Sequence, residues 1–188
     1  MSINYLESAK RQFKMYKQLG EKAMAQLDEQ ELNWQANEDS NSIATIVKHL
    51  SGNMLSRWTD FLTTDGEKPW RLRDAEFDSD AITRDQLMAI WEKGWQCLFD
   101  ALDSITDDDL ERIIYIRNEG DTILANINRQ ISHYAYHVGQ IVYASKLRVK
   151  TEWQSLSIPR NKSNDYNNAK FAKDKENRHF TDDWKEKK

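Results

Sequence analysis

Residues 121–148 read DTILANINRQISHYAYHVGQIVYASKLR, and the fold turns on this stretch. It contains no proline, its apolar residues recur at helical spacing, and it is long enough for one uninterrupted helix. At about 100° of turn per residue, Ile127, Ile131, Tyr134, Val138 and Ile141 form one apolar sector. Asn126, Gln130, His133, His137 and Gln140 form a polar sector beside it. His133 and His137 are four residues apart, so their side chains lie one above the other on the same face. Two imidazoles so placed can grip one metal ion.

Working outward, three more amphipathic segments supply partners for this helix. In residues 2–30, Leu6, Ala9, Phe13, Tyr16, Gly20, Ala23 and Leu27 recur at spacings of three and four, laying one stripe along a helix. Gly20 marks a close helix crossing or a kink. Asn41 or Ser42 can cap the next helix, which carries Ile43, Ile46, Val47, Leu50, Met54 and Trp58 inward and ends near Thr64. Thr45, His49, Asn53 and Arg57 form a polar row along its edge, so a third histidine lies beside the core. Thr83 with Gln86 resembles a capping box opening a helix over 83–104, on which Cys97 reads as a small buried hydrophobe.

The connections are less regular. Residues 65–82 contain Gly66 and Pro69 and hold no period, which reads as a structured loop pinned by Trp70 and Phe77. Residues 113–116, IIYI, favour extended structure, and Asn118-Glu119-Gly120 is a turn signal, so a short arm or hairpin is expected before the long helix. The chain divides into a helical domain over 1–160 and a polar, charged, loosely held tail over 161–188 with room for one short helix. His179 falls in that tail and reads as a surface histidine.

Composition narrows the class. Six glycines and two prolines in 188 residues are too few for a strand-rich fold with many turns. Twenty aromatic residues (seven Trp, seven Tyr, six Phe) argue against disorder. The formal charge of −4, with no basic block, makes nucleic acid a poor partner. No apolar run reaches the roughly 18–20 residues that span a bilayer, and the first residues lack a signal-peptide core. The single cysteine allows no internal disulfide. A cytoplasmic protein acting on a small molecule is the expectation.

Two metal-site patterns fail here. The HExxH metalloprotease needs Glu after its first histidine, and Tyr134 follows His133. Di-iron bundles need Glu three residues before each histidine. Ile46 stands there for His49 and Gln130 for His133. Three imidazoles without a carboxylate would leave a cationic Lewis acid with an open position.

SIATIVKHLSGNMLSRWTDFL, TDGEKPWRLRDAEF and ISHYAYHVGQIVYASKL together resemble the DinB/YfiT-like superfamily, and within it a bacterial subgroup of unassigned function. The likeness runs from the first helix through WQSLSIPR and leaves out the tail after Arg160. It implies an all-α fold, a four-helix bundle, with a divalent metal, zinc or nickel, held by three histidines that match His49, His133 and His137. It also implies membership of a group whose known activities include S-transferases and isomerases using low-molecular-weight thiols such as bacillithiol or mycothiol. Other members are described as metal-dependent hydrolases, and homodimers are common.

The leading expectation is therefore a metal-dependent thiol S-transferase in which Arg57, on the row of His49, could meet a carboxylate of the thiol cofactor; the competing reading of Arg57 is an ordinary surface or interface salt bridge. A metal-dependent hydrolase is the alternative. A non-catalytic metal-binding stress protein is the third reading. Because imidazole ligates only when neutral, metal affinity is expected to fall steeply below about pH 6.

Overall fold

The computed structural model describes residues 4–78 and 81–185. The fold is mostly helical, with one small two-stranded sheet. Helix α1 spans Tyr5–Met24, the one-turn α2 Glu29–Leu32, α3 Ile43–Trp58, α4 Arg84–Asp103 and α5 Ile123–Arg148. Each long helix starts at the cap its sequence supplies. Asn4, Ser42, Thr83 and Thr122 accept from the backbone N–H three residues on, satisfying donors that the first helical turn leaves free. Of the two candidates for α3 the cap is Ser42, and Thr83 with Gln86 closes the expected box.

The four long helices share one core: α3 packs on α4 and α5, and α1 on α5 and α4. Its centre is aromatic. Phe13, Trp91, Trp95 and Tyr134 are all buried, with ring centroids 5.4–6.4 Å apart from Trp91 through Trp95 to Phe13 and Tyr134. Gly20 serves a close crossing, since a Cβ there would stand 2.8 Å from the Trp91 ring.

Strands β1 (Ile113–Ile116) and β2 (Glu119–Thr122) form the expected hairpin. Its turn is Arg117-Asn118, both at positive φ, as a two-residue hairpin loop requires. A carboxylate outside the hairpin fixes it: Asp65 accepts from the backbone N–H groups of Arg117 and Asn118, each at 2.8 Å. Gly120, part of the expected turn, lies in β2 instead.

Two connections differ from the sequence reading. The 65–82 loop, which includes a 3₁₀ turn at Asp74–Phe77, is held mainly by polar contacts to α3. Ser56 Oγ donates to the Gly66 carbonyl at 2.8 Å, Lys48 reaches the Asp78 carbonyl, and Glu76 meets His49. Trp70 is more than half exposed, while Phe77 lies against the His49 ring. The tail carries helices α6 (Ser163–Phe171) and α7 (Asp182–Lys185) and packs back on α1. Arg11 pairs with Asp182 at 3.1 Å, and Thr181 is buried. Charge pairing rather than an apolar stripe docks it, so periodicity gave no sign of it. Among the described residues no helix is long and apolar enough to cross a membrane.

Candidate metal centre

α3 and α5 run antiparallel across the centre. His49 meets His133 and His137, Asn53 one turn on accepts from the Tyr134 hydroxyl at 3.2 Å, and Trp58 Nε1 donates to that hydroxyl at 3.2 Å. Tyr134 thus clamps the two helices at one fixed height. The polar row Thr45, His49, Asn53 and Arg57 is buried along its whole length, because it is the α3 face that meets α5.

The histidine rings gather edge to face, with centroids 4.8–5.6 Å apart. One ligand nitrogen from each lies within 4.8 Å of the other two. Two nitrogens about 2.1 Å from one tetrahedral ion would stand roughly 3.4 Å apart, so a small side-chain adjustment separates the cluster from ligation.

Each imidazole is oriented by a partner on one nitrogen. His49 Nδ1 meets Glu76 Oε2 at 3.0 Å, His133 Nδ1 meets Gln130 Oε1 at 3.2 Å, and His137 Nδ1 meets Gln140 Oε1 at 2.7 Å. Carboxylate and carbonyl oxygens only accept, so each Nδ1 carries its hydrogen and each Nε2 keeps its lone pair. An acceptor behind the ring fixes the tautomer and raises ligand basicity at metal-binding histidines. Three rings each held at Nδ1, with one ring nitrogen of each within 4.8 Å of the others, suit a divalent cation that takes nitrogen ligands.

Electrostatics agree with that donor set. Burial, then the neighbouring His137 and His49, then Arg129 and Arg57, push His133 down to about 3. Burial, with the neighbouring His49, lowers His137 as well, against the hydrogen bond that His137 donates to Gln140. Both rings are therefore neutral, the form that ligates, at ordinary pH.

Glu76 is itself fixed. Arg71 grips it with two hydrogen bonds, Nε to Oε1 at 2.8 Å and Nη2 to Oε2 at 2.9 Å. Burial favours its neutral form, but the hydrogen bonds from His49 and Arg71 outweigh this and hold its carboxyl below the ordinary range. Gly52 makes room for it, since a Cβ there would fall 2.1 Å from Glu76 Oε1. In the segment KHLSGN, Lys48, His49, Gly52 and Asn53 thus each serve the site or the loop that covers it.

The sequence model of one family, described as Protein of unknown function (DUF1572), matches residues 1–162. The chain belongs to this family. No curated protein matches it. The span matched to DUF1572 takes in α1 to α5, the 65–82 loop and all three histidines, and it stops just before α6.

Within this DUF1572 chain, the three sequence-predicted ligands come together. Arg57 is placed on the same face but is no surface ion pair: it is nine-tenths buried, and among the described residues its Nε and Nη1 have no hydrogen-bond partner. Cys97 stands apart, half-buried with its sulfur 3.6 Å from Thr59 Oγ1, and burial raises its thiol. His179 is tied to Ser8 and Thr181. Sequence reasoning missed Glu76 and Arg71, which lie in a loop without period. It placed Gln130 and Gln140 in the right sector without their role, although the offset of three from His133 and His137 was the available sign. A cleft of about 630 Å³ lined by Trp34, Ile46, Tyr136, Gln140 and Tyr143 opens beside the centre, sharing Gln140 with it.

Proposed function

We propose that this protein is a metal-dependent enzyme of the DinB/YfiT-like four-helix-bundle type, with a divalent ion, zinc or nickel, held by His49, His133 and His137. The observation that carries this reading is the shared arrangement of the three rings, each Nδ1 tied to an oxygen and one nitrogen of each within 4.8 Å of the other two. A bound divalent cation supplies Lewis acidity, lowering the pKa of a thiol or water at its open position. The chain's own part is to orient the rings through Glu76, Gln130 and Gln140, and to offer the aromatic-walled cleft, whose volume suits a small molecule.

The favoured reaction is S-transfer from a low-molecular-weight thiol of the bacillithiol type to a carbon electrophile. Hydrolysis, the alternative, gains from a base beside the site, and the carboxylate that touches the cluster is poorly suited. Glu76 is locked by Arg71 and kept ionised as a hydrogen-bond acceptor for His49. A cytoplasmic homodimer belongs to the same proposal, and sedimentation tests the dimer. The function is tested by loading purified protein with zinc or nickel and supplying bacillithiol with alkyl halides and epoxides. Conjugate formation that is lost in His133→Ala supports it. Ester or amide hydrolysis without conjugation would move the assignment to the hydrolase.

A further inference from the structure

One group on the α3–α5 face is left over once the histidines and their partners are accounted for. Arg57 stands two turns beyond His49 on α3, opposite the part of α5 that precedes His133. Among the described residues its buried Nε and Nη1 have no partner, an arrangement native structures avoid unless something else supplies the acceptor. Glu67, the acid whose field it feels, is hydrogen-bonded to Arg117 at 2.8 Å instead. A second cation, the exposed Arg129, is near enough to act against its charge. One turn before Tyr134 on α5, Gln130 is also buried, and among the described residues its amide Nε2 has no acceptor although its Oε1 serves His133. Arg57 and Gln130 thus each leave a buried donor unused on the α3–α5 face, at the end away from the 630 Å³ cleft, and the acid that acts on Arg57, Glu67, is taken by Arg117.

We propose that Arg57, with Gln130 Nε2 and with Arg129 at the rim, is an anion subsite that takes a carboxylate of the same small molecule whose thiol reaches the three histidines. This rests on the metal-centre reading above. It also bounds the ligand. His49 and Arg57 are eight residues apart, about 12 Å along the helix axis, less what the arginine side chain recovers by reaching back. A thiol whose carboxylate lies several bonds away fits this span, as in a peptide-like cofactor. A guanidinium is the cation that best matches a planar carboxylate.

The probes are N-acetyl-Cys-Gly-Gly and its C-terminal amide, which differ by one carboxylate. Each is titrated into cobalt-loaded protein and followed by the sulfur-to-metal charge-transfer band. Wild type is expected to bind the acid about tenfold more tightly than the amide, the value of one charge-assisted pair. Arg57→Gln should bring the acid to the affinity of the amide and leave the amide unchanged; Arg57→Lys should restore part of the difference. Equal binding of acid and amide by wild type, or a loss for both probes in Arg57→Gln, would overturn the subsite.

The metal-free protein gives an independent reading. Succinate should raise the melting temperature of wild type by about 2 °C over chloride at equal ionic strength, and should not do so in Arg57→Gln. Without anion, Arg57→Gln should melt higher than wild type, because removing a buried unpaired charge relieves the fold. A lower melting point would assign Arg57 a structural role and contradict the proposal, and phosphate stabilising wild type more than succinate would contradict the carboxylate. Failure of cobalt to bind would count against the metal centre alone, and the succinate experiment would still decide the subsite.

Discussion

The chain has four histidines, and the structure uses them in two ways. His179, in the tail, has both ring nitrogens engaged: Nε2 with Ser8 Oγ at 2.9 Å and Nδ1 with Thr181 Oγ1 at 2.8 Å. It closes α7 onto α1 and has no lone pair to spare. His49, His133 and His137 each have Nδ1 engaged and, among the described residues, no partner on Nε2, and one ring nitrogen of each lies within 4.8 Å of the other two. Burial does not separate the two kinds, since His133, His137 and His179 are all half-buried. What separates them is which nitrogens the fold has already used.

The largest expected effect tests that difference directly. Replacing His49, His133 or His137 with Ala should cut affinity for zinc or nickel by about a thousandfold, as loss of one of three ligands would. His179→Ala should leave affinity unchanged. Competition against a chromophoric chelator measures both, and equal losses in all four variants would erase the distinction.

A smaller effect is expected behind the cluster. Glu76→Gln keeps the shape and removes the charge that His49 Nδ1 sees, and should weaken metal binding by about ten- to a hundredfold. Gly52→Ala should do the same by displacing the carboxylate, and both changes should lower the melting temperature, since each deprives the buried Arg71 guanidinium of its carboxylate partner.

The pH dependence sharpens the comparison further. Three imidazoles of ordinary pKa would each lose about tenfold in affinity at pH 5.5, or about a thousandfold together. His133 is held neutral down to about 3 and His137 is lowered in the same direction, so the loss should be far shallower than the sequence alone led us to expect. Cobalt affinity at pH 5.5 and 7.0 measures it, and a full three-proton dependence would contradict the electrostatics. The same shift makes folding pH-dependent. The folded pKa lies below the unfolded value near 6.5, so stability is complete above that value and is lost as pH falls from there toward about 3. The melting temperature of metal-free protein should drop over that window, and His133→Ala should flatten the drop.

The smallest effect belongs to the scaffold. Chelation should leave the helical circular dichroism intact at room temperature, because the aromatic core needs no metal to form. His179→Ala should cost about 1 kcal/mol or less, confined to the docking of the tail.

The long helices were legible because each states its period and its cap in local sequence. The three ligands were legible for the same reason, since helical spacing alone puts His133 above His137 and His49 beside a core face. Glu76 and Arg71 were not, because a loop has no period and its contact with α3 is made across 27 residues of chain. The docking of the tail was hidden likewise: Arg11 and Asp182 are 171 residues apart and nothing local in either predicts the other. Gly52 shows the limit well, as its reason for being glycine is a carboxylate that arrives from the loop.

The central claim is that three imidazoles hold one ion through their free nitrogens. X-ray absorption of zinc-loaded protein reads this directly. Three nitrogen ligands at about 2.0–2.1 Å with imidazole multiple scattering are expected, no sulfur scatterer from Cys97, and one imidazole fewer in His49→Ala. A first shell with fewer than three imidazoles, or one unchanged by His49→Ala, would contradict it.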